Sequence, residues 1–333
     1  MASRRGCTCA VGLVIGLAVS SAGCLAFAQD PPAAGPRIAY GPARQVCTLA
    51  NTKVAESSGL ACSRLAPGVF WTHNDSGDGP VLYAFNTKGE HLATCTVAGA
   101  EARDWEDVAS FTMRGQGFLL IADTGDNDAK RPKCSLYVVR EPPVGTAEKP
   151  AEVRARAALR IDFTYEDGPR DCEAVGIDPT TLTIYLCSKE LGGGRIYALP
   201  WPGEKAAPGA PPRVARAIAT FAGAPMPTAM DISPDGRRAV ILSYLDAYEY
   251  VRGPDEDWAA AFGWKPRVLK MPRRNQGESI GYGPDGRTLY LTSEFAPTPL
   301  LEVPVAEAAP AAAPAAKPPE KPAEKPPVAA PKP

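Results

Sequence analysis

Acidic side chains recur at a fixed spacing in this sequence of 333 residues. Glu56 is followed nineteen positions later by Asp75, and Asp104 is followed at the same spacing by Asp123, with the two pairs starting 48 residues apart. Carboxylates that are gathered in one place raise each other's pKa or bind a cation. Oxygen ligands suit Ca²⁺ better than they suit zinc or copper, so we expect calcium to be the cofactor.

The acidic columns belong to a repeat that runs through most of the chain. A third copy begins at Asp171, a fourth near residue 226 and a fifth at Gln276, so the steps are 48, 67, about 55 and 50 residues. Each copy contains short segments with the residue pattern of β-strands. Asp-Gly pairs at 235–236 and 285–286 supply hairpin turns. The pattern predicts an all-β fold, a single β-propeller of five blades that the strand at 45–50 closes. Six blades is the alternative, if the 67-residue step hides irregular strands.

A propeller would bring equivalent residues of all copies to one mouth of its central channel. The first strand of each blade lines that channel, and its start lies beside the end of the second strand. Side chains alternate between the two faces of a strand, which places Asp104 and Glu106 on one face and Asp107 on the other. The predicted metal ligands are Glu56, Asp75, Asp104, Glu106, Asp123, Asp171, Glu173 and Glu278.

Cationic residues close to the same mouth suggest an anionic ligand. We expect Lys189, Arg131 and Arg170, together with Asn74, to bind it, because cations beside a metal neutralise phosphate charge. Two simpler interpretations stay open. The acids could cap backbone amides in turns, or hold neighbouring blades together through hydrogen bonds to the backbone. The cations could be salt-bridge partners that hold the ring neutral. No catalytic residue is assigned, because the sequence shows no third group that would orient His73 beside Ser57 or Ser58.

Several motifs carry a resemblance to known propellers. The hairpins at 233–237 and 283–287 resemble the repeats of TolB-type proteins. The ordered series Glu-Ser-Ser-Gly-Leu, Asn-Asp-Ser-Gly, Asp-Trp-Glu-Asp, Asp-Cys-Glu-Ala and Gln-Gly-Glu-Ser resembles uncharacterised secreted bacterial β-propeller proteins related to esterase-like phytase domains. The resemblance covers about residues 45 to 305 and implies the fold more specifically than the activity.

The two ends of the chain differ from the repeat. Residues 1–28 have the charged start, apolar run and small-residue cleavage site of a signal peptide, so we expect a secreted or periplasmic protein without a transmembrane segment in the mature chain. A lipid anchor at Cys24 is the alternative to simple cleavage. Residues 29–44 are predicted to be a linker, 45–305 the propeller, and 306–333 a disordered tail rich in Ala, Pro and Lys.

Six of the nine cysteines lie beyond the predicted signal peptide. An oxidising compartment would permit disulfides, and Cys172 and Cys187 are predicted to lie nearly opposite each other on adjacent strands. Buried free thiols are the alternative.

The charge of the chain argues against a nucleic-acid partner. The net charge of −1 gives no bulk attraction to nucleic acid. The sequence predicts an exported binding module whose calcium-binding mouth recognises a small anionic ligand or an envelope protein. The first alternative is a calcium-dependent phosphoesterase, as the phytase-like resemblance implies, and the second is a structural envelope scaffold.

Overall fold

The computed structural model describes residues 37–75, 77–203 and 211–306. The predicted signal peptide, the first part of the predicted linker and the tail from residue 307 onward lie outside these ranges. The described part is nearly all β, with twenty-one strands and one helix of four residues. Among its helices, none has the length and apolar character needed to cross a membrane.

The strands are distributed along the whole described part of the chain. The first nine are β1 (Arg44–Thr48), β2 (Ser57–Cys62), β3 (Val69–Asn74), β4 (Val81–Asn86), β5 (His91–Ala98), β6 (Trp105–Met113), β7 (Gln116–Asp123), β8 (Cys134–Arg140) and β9 (Ala151–Arg156). The next five are β10 (Leu159–Tyr165), β11 (Cys172–Ile177), β12 (Ile184–Ser188), β13 (Arg195–Leu199) and β14 (Arg213–Thr220). The last group is β15 (Pro227–Ile232), β16 (Arg238–Ser243), β17 (Asp246–Val251), the helix α1 (Trp258–Ala261), β18 (Arg267–Lys270), β19 (Ser279–Tyr282), β20 (Leu289–Thr292) and β21 (Pro299–Val303).

Antiparallel hairpins build each sheet outward from one inner strand. The inner strands of the first to fifth sheets are β2, β6, β11, β15 and β19, in that order, and each contacts the next one. The last of them, β19, contacts β2 and closes the ring. Such a closed arrangement of radiating sheets around a centre is that of a β-propeller.

The 67-residue step of the repeat is filled by one additional strand. Strand β9 pairs in parallel with β5, at the outer edge of the sheet that begins with β2. A second parallel pairing, between β10 and β14, joins two neighbouring sheets at their outer edges. The long step therefore extends an existing sheet.

The N-terminal strand completes the last sheet, as the sequence predicted. Strand β1 pairs antiparallel with β21, and Thr48 lies opposite Pro299. Pairing begins before residue 45, because Tyr40 forms a bridge with Val305. This closure covers a sheet edge that would otherwise expose unpaired backbone groups.

Apolar side chains between neighbouring sheets hold the ring together. Trp71 and Tyr137 lie in one such cluster and Tyr197 in the next, and each is completely buried. Aromatic side chains supply much of this contact area, and paired rings add to it. The inner strands are thereby fixed as neighbours, which determines what can meet at the mouth.

The predicted disulfide between Cys172 and Cys187 is absent. Both thiols are free and buried, like Cys62, Cys95 and Cys134. A β-bulge shifts the register of β11, so that Cys172 lies opposite Ser188 while Cys187 lies opposite Ala174. The alternative of buried free thiols is the one that the structure shows.

Candidate functional site

A β-bulge lies at the start of the inner strand in four of the sheets. The pairing register shifts between Ser57 and Leu60, Trp105 and Asp107, Cys172 and Ala174, and Pro227 and Ala229. The extra residue is Glu106 in the second sheet and Glu173 in the third. A bulge bends a strand locally and changes where the extra side chain points, and such bulges are frequent next to binding sites.

Two groups of three carboxylates meet at this end of the channel. Asp75, Asp104 and Glu106 form the first triad, and Glu106, Asp171 and Glu173 form the second. Within each triad, one oxygen of every residue lies within 4.8 Å of the others. Glu106 belongs to both triads and is buried. The predicted convergence of acids from the first three copies is therefore what the structure shows.

Backbone contacts place Asp75 at the mouth. Its amide, directly after strand β3, donates to the carbonyl of Glu56 at 2.9 Å, and this holds the end of β3 against the start of β2. The equivalent contact in the third sheet runs from the Lys189 amide to the Asp171 carbonyl, also at 2.9 Å. Residues that follow the second strand of a sheet thus lie beside residues that precede its inner strand.

The electrostatic cost of the cluster is visible in the pKa values of its members. Burial, together with the neighbouring charge of Asp75, raises the pKa of Asp104 to about 6. Burial and the charge of Glu173 raise the pKa of Glu106 well above its usual range. Burial also raises the pKa of Glu173 to about 8, although Lys189 opposes the rise. The protein thus holds several carboxyl groups where their charges are poorly compensated.

Two carboxylate oxygens of the triads have no hydrogen-bond partner in the described part of the chain. They are Oδ1 of Asp75 and Oε2 of Glu173, and both atoms are buried. Buried polar atoms are nearly always paired, so an orphaned oxygen points to a missing partner such as an ion. The triads offer carboxylate oxygens, which suit calcium because it accepts six to eight oxygen ligands in flexible geometry.

Glu278 and Glu294 extend the acidic cluster from the fifth sheet. Glu278 is buried and accepts a hydrogen bond from Nε2 of Gln276 at 3.1 Å. Burial and the adjoining Glu278 raise the pKa of Glu294 to about 8. Neither residue belongs to a triad, so the predicted ligand Glu278 lies outside both of them.

Two other predicted ligands also lie outside the triads. Asp123 pairs with Arg131 at 3.0 Å, and both side chains are buried. Its Oδ1 also accepts from the amide of Asp104 at 3.1 Å, so Asp123 supports the loop that carries Asp104. Glu56 is exposed and lines a surface cavity together with Lys53, Asn74, Gly77, Asp78 and Tyr83.

The four predicted ligand-binding residues all have partners within the protein. The ammonium of Lys189 binds Oε1 of Glu173, and Arg170 pairs with Asp167 at 3.0 Å. Arg131 is held by Asp123 and donates to the carbonyl of Gly125 at 2.8 Å. Asn74 accepts from the amides of residues 55 and 56 and donates to the carbonyl of residue 53. These contacts match the interpretation of the three cations as salt-bridge partners.

Asp107 has the structural role that was the alternative for acids at the start of a blade. Its Oδ2 accepts from the amides of Val175 at 2.9 Å and Met230 at 3.1 Å, and its Oδ1 accepts from Val108 at 2.8 Å. One carboxylate therefore connects the inner strands of three sheets below the triads. Asp231 repeats the device by accepting from the amide of Tyr282 at 2.7 Å. Alternation along the strand had pointed Asp107 away from Glu106, and the two carboxylates have different neighbours in the structure.

Comparison with known proteins assigns no family. No family model matches the sequence, and no curated protein matches it. Solved structures with a similar arrangement include a nidogen/laminin complex, at 13% identity over 72% of this chain and 73% of that chain, with a TM-score of 0.43. A protein described as a putative oxidoreductase (glucose dehydrogenase) from Thermus thermophilus has 10% identity over 79% and 99% of the two chains and a TM-score of 0.43.

A gluconolactonase from Xanthomonas campestris is similar at 13% identity, over 82% of this chain and 98% of that chain, with a TM-score of 0.44. Likenesses of this strength assign neither an activity nor a ligand to the chain. The candidate site therefore has to be interpreted from its own chemistry.

Proposed function

We propose that this protein is an exported binding protein, a five-bladed β-propeller that binds Ca²⁺ at the mouth of its channel. The observation that carries the proposal is the first triad, in which oxygens of Asp75, Asp104 and Glu106 lie within 4.8 Å of one another. Three carboxylates at this separation bring a charge that a divalent cation would neutralise.

Calcium fits this triad better than the transition metals do. The ligands are carboxylates alone, whereas zinc and copper sites usually include imidazole or thiolate. Asp75 follows strand β3, and Asp104 precedes strand β6. Both therefore belong to turn segments that can adapt to a large coordination sphere. The orphaned Oδ1 of Asp75 is available to the ion.

Two observations support the count of five blades. Five inner strands contact one another in a closed ring, and the long step of the repeat adds strand β9 to an existing sheet. The export of the protein rests on the signal-like residues 1–28 of the sequence.

The salt bridges of the cationic side chains favour ligand binding over phosphoester hydrolysis as the function. Arg131, Lys189 and Arg170 are each paired with a carboxylate of the protein. A hydrolase needs cationic groups that face the transferred phosphate. The partner that we propose, a small anionic ligand or an envelope protein, would therefore contact the mouth through the bound calcium.

A calorimetric titration with CaCl₂ after treatment with a chelator tests the proposal. We expect the wild type to bind calcium. Glu106→Gln should lose more affinity than the roughly 10 to 100-fold loss that follows when a residue that only supports a metal ligand is removed. The matched control is Glu148→Gln, because Glu148 is exposed and belongs to neither triad. A wild type that binds no calcium would overturn the proposal.

The same preparation decides between binding and hydrolysis. Incubated with a panel of phosphoesters and added calcium, the protein is expected to release no phosphate. Phosphate release that disappears in Glu106→Gln would show that the phosphoesterase alternative is correct.

A further inference from the structure

The mouth contains two places for a cation, and they share one ligand. Asp75 and Asp104 form the first place with Glu106, while Asp171 and Glu173 form the second place with the same residue. A carboxylate has two oxygens and can bridge two ions, so this geometry could hold two divalent cations at once.

An ammonium group of the protein already binds at the second place. The Nζ of Lys189 is bonded to Oε1 of Glu173 and lies 5.3 Å from the centroid of the Tyr244 ring. Its side chain is only 10% exposed. An ammonium over an aromatic face and against a carboxylate is held by both contacts, so its charge is fixed in this position.

The position of Lys189 in the repeat is acidic in the first and fifth sheets and is Gly125 in the second. Its amide donates to the carbonyl of Asp171, just as the amide of Asp75 donates to Glu56 and that of Glu294 donates to Gln276. Lys189 thus stands in the third sheet where the first and fifth sheets have a carboxylate. The third sheet therefore has a cation at the position where the first sheet has the triad residue Asp75.

We propose that the ammonium of Lys189 takes the place of a second divalent cation and limits the mouth to one Ca²⁺. This inference rests on the proposed function, because it assumes that the first triad binds calcium. Lys189 then determines how many Ca²⁺ ions the chain binds. The sequence had instead predicted that Lys189 contacts an anionic ligand.

The second place retains an oxygen that no protein group uses. The side chain of Glu173 is 7% exposed, and its Oε2 is buried without a partner in the described part of the chain. Removing the ammonium frees Oε1 as well. Both oxygens of Glu173 would then join Asp171 and the bridging Glu106 around an ion.

The test is the number of calcium ions bound per chain, measured by calorimetric titration and by metal analysis after dialysis. We expect one ion for the wild type and two for Lys189→Met. Lys189→Arg, which keeps the charge, is expected to bind one. The matched control Arg170→Met also removes a cation from the same hairpin, but one that pairs with Asp167, and it is expected to bind one.

The outcomes separate this inference from the proposed function. A wild type without calcium contradicts the proposed function and the inference with it. One ion in both the wild type and Lys189→Met, or two ions in the wild type, overturns the inference alone. Lys189→Gln repeats the test if the methionine variant does not fold, and Glu173→Gln added to either variant is expected to return the number to one.

Discussion

Glu106 and Glu173 are the extra residues of equivalent β-bulges in neighbouring sheets, and their carboxylate oxygens lie within 4.8 Å of each other. An ordinary strand would alternate its side chains between the two faces. The bulge instead bends the strand start and lets two buried carboxylates from different sheets meet. The local backbone irregularity therefore creates the candidate site.

Gly125 lies against the first triad and should be sensitive to any side chain. A Cβ atom at this position would overlap Oε1 of Glu106 and Oδ2 of Asp104. We expect Gly125→Ala to displace both carboxylates and weaken calcium binding at least ~10-fold, since ligand placement is critical in metal sites. Calorimetry measures the effect. Gly192→Ala is the control because its Cβ would meet no atom within 4 Å, and equal losses in both variants would contradict the prediction.

Asp107 is expected to be important for stability. Its carboxylate accepts backbone amide hydrogens from Val108, Val175 and Met230, and it is buried. In Asp107→Asn, one oxygen becomes an NH₂ group that cannot accept, which should lower the free energy of unfolding by about 1 to 3 kcal/mol. Urea denaturation measures the change. The exposed Asp128→Asn should leave the midpoint unchanged, and an unchanged midpoint in Asp107→Asn would refute this role.

The buried pair between Arg131 and Asp123 should behave differently from an exposed pair. The side chains are 6% and 2% exposed and lie 3.0 Å apart. Arg131→Met leaves a buried charge without compensation and is expected to cost about 3 to 5 kcal/mol, with a smaller loss when Asp123→Asn is added. The control Lys130→Met removes the exposed pair with Asp128 and should cost less than about 1 kcal/mol. Equal costs for the arginine and lysine variants in urea denaturation would count against a structural role of Arg131.

Asp231 should make stability depend on pH in the acidic range. Burial raises its pKa to about 6, although Arg64 opposes the rise. The folded state then binds a proton more tightly than the unfolded state, so the contribution of this group to the free energy of unfolding falls as the pH rises from about 4 to about 6. The fall is about 3 kcal/mol at most. Denaturation of wild type and Asp231→Asn in the presence of a chelator should show a shallower pH dependence in the variant, and identical slopes would exclude the prediction.

Calcium should stabilise the folded protein through mass action. An ion that binds only the folded state adds about 2.7 kcal/mol when its concentration is about 100 times the dissociation constant. We therefore expect thermal unfolding to shift upward with CaCl₂ in the wild type. The shift should vanish in Glu106→Gln, whose melting curve serves as the internal control. A shift of the same size in that variant would locate the ion elsewhere.

The repeat made the fold and the mouth predictable, because a propeller brings equivalent columns together whatever the details of each sheet. Asp75, Asp104, Glu106, Asp171 and Glu173 could be identified in this way. Alternation alone could not show the bulges, since it assumes a regular strand. The bulge in β11 explains why Cys172 and Cys187 do not lie opposite each other.

The pairing of charged side chains is the other feature that could not be predicted from the sequence. Asp123 pairs with Arg131, and Lys189 pairs with Glu173. These choices depend on which side chains become neighbours after folding. The acidic columns predicted where a site would be, and the tertiary contacts determined which carboxylates remained for a metal.

The most direct test of the calcium site is a crystal structure of the protein grown with CaCl₂, analysed by anomalous scattering. We predict one calcium peak at the mouth, with oxygens of Asp75, Asp104 and Glu106 at the roughly 2.3 to 2.6 Å that is usual for this ion. Calcium bound only elsewhere, or a mouth without a peak at millimolar calcium, would contradict the proposed site.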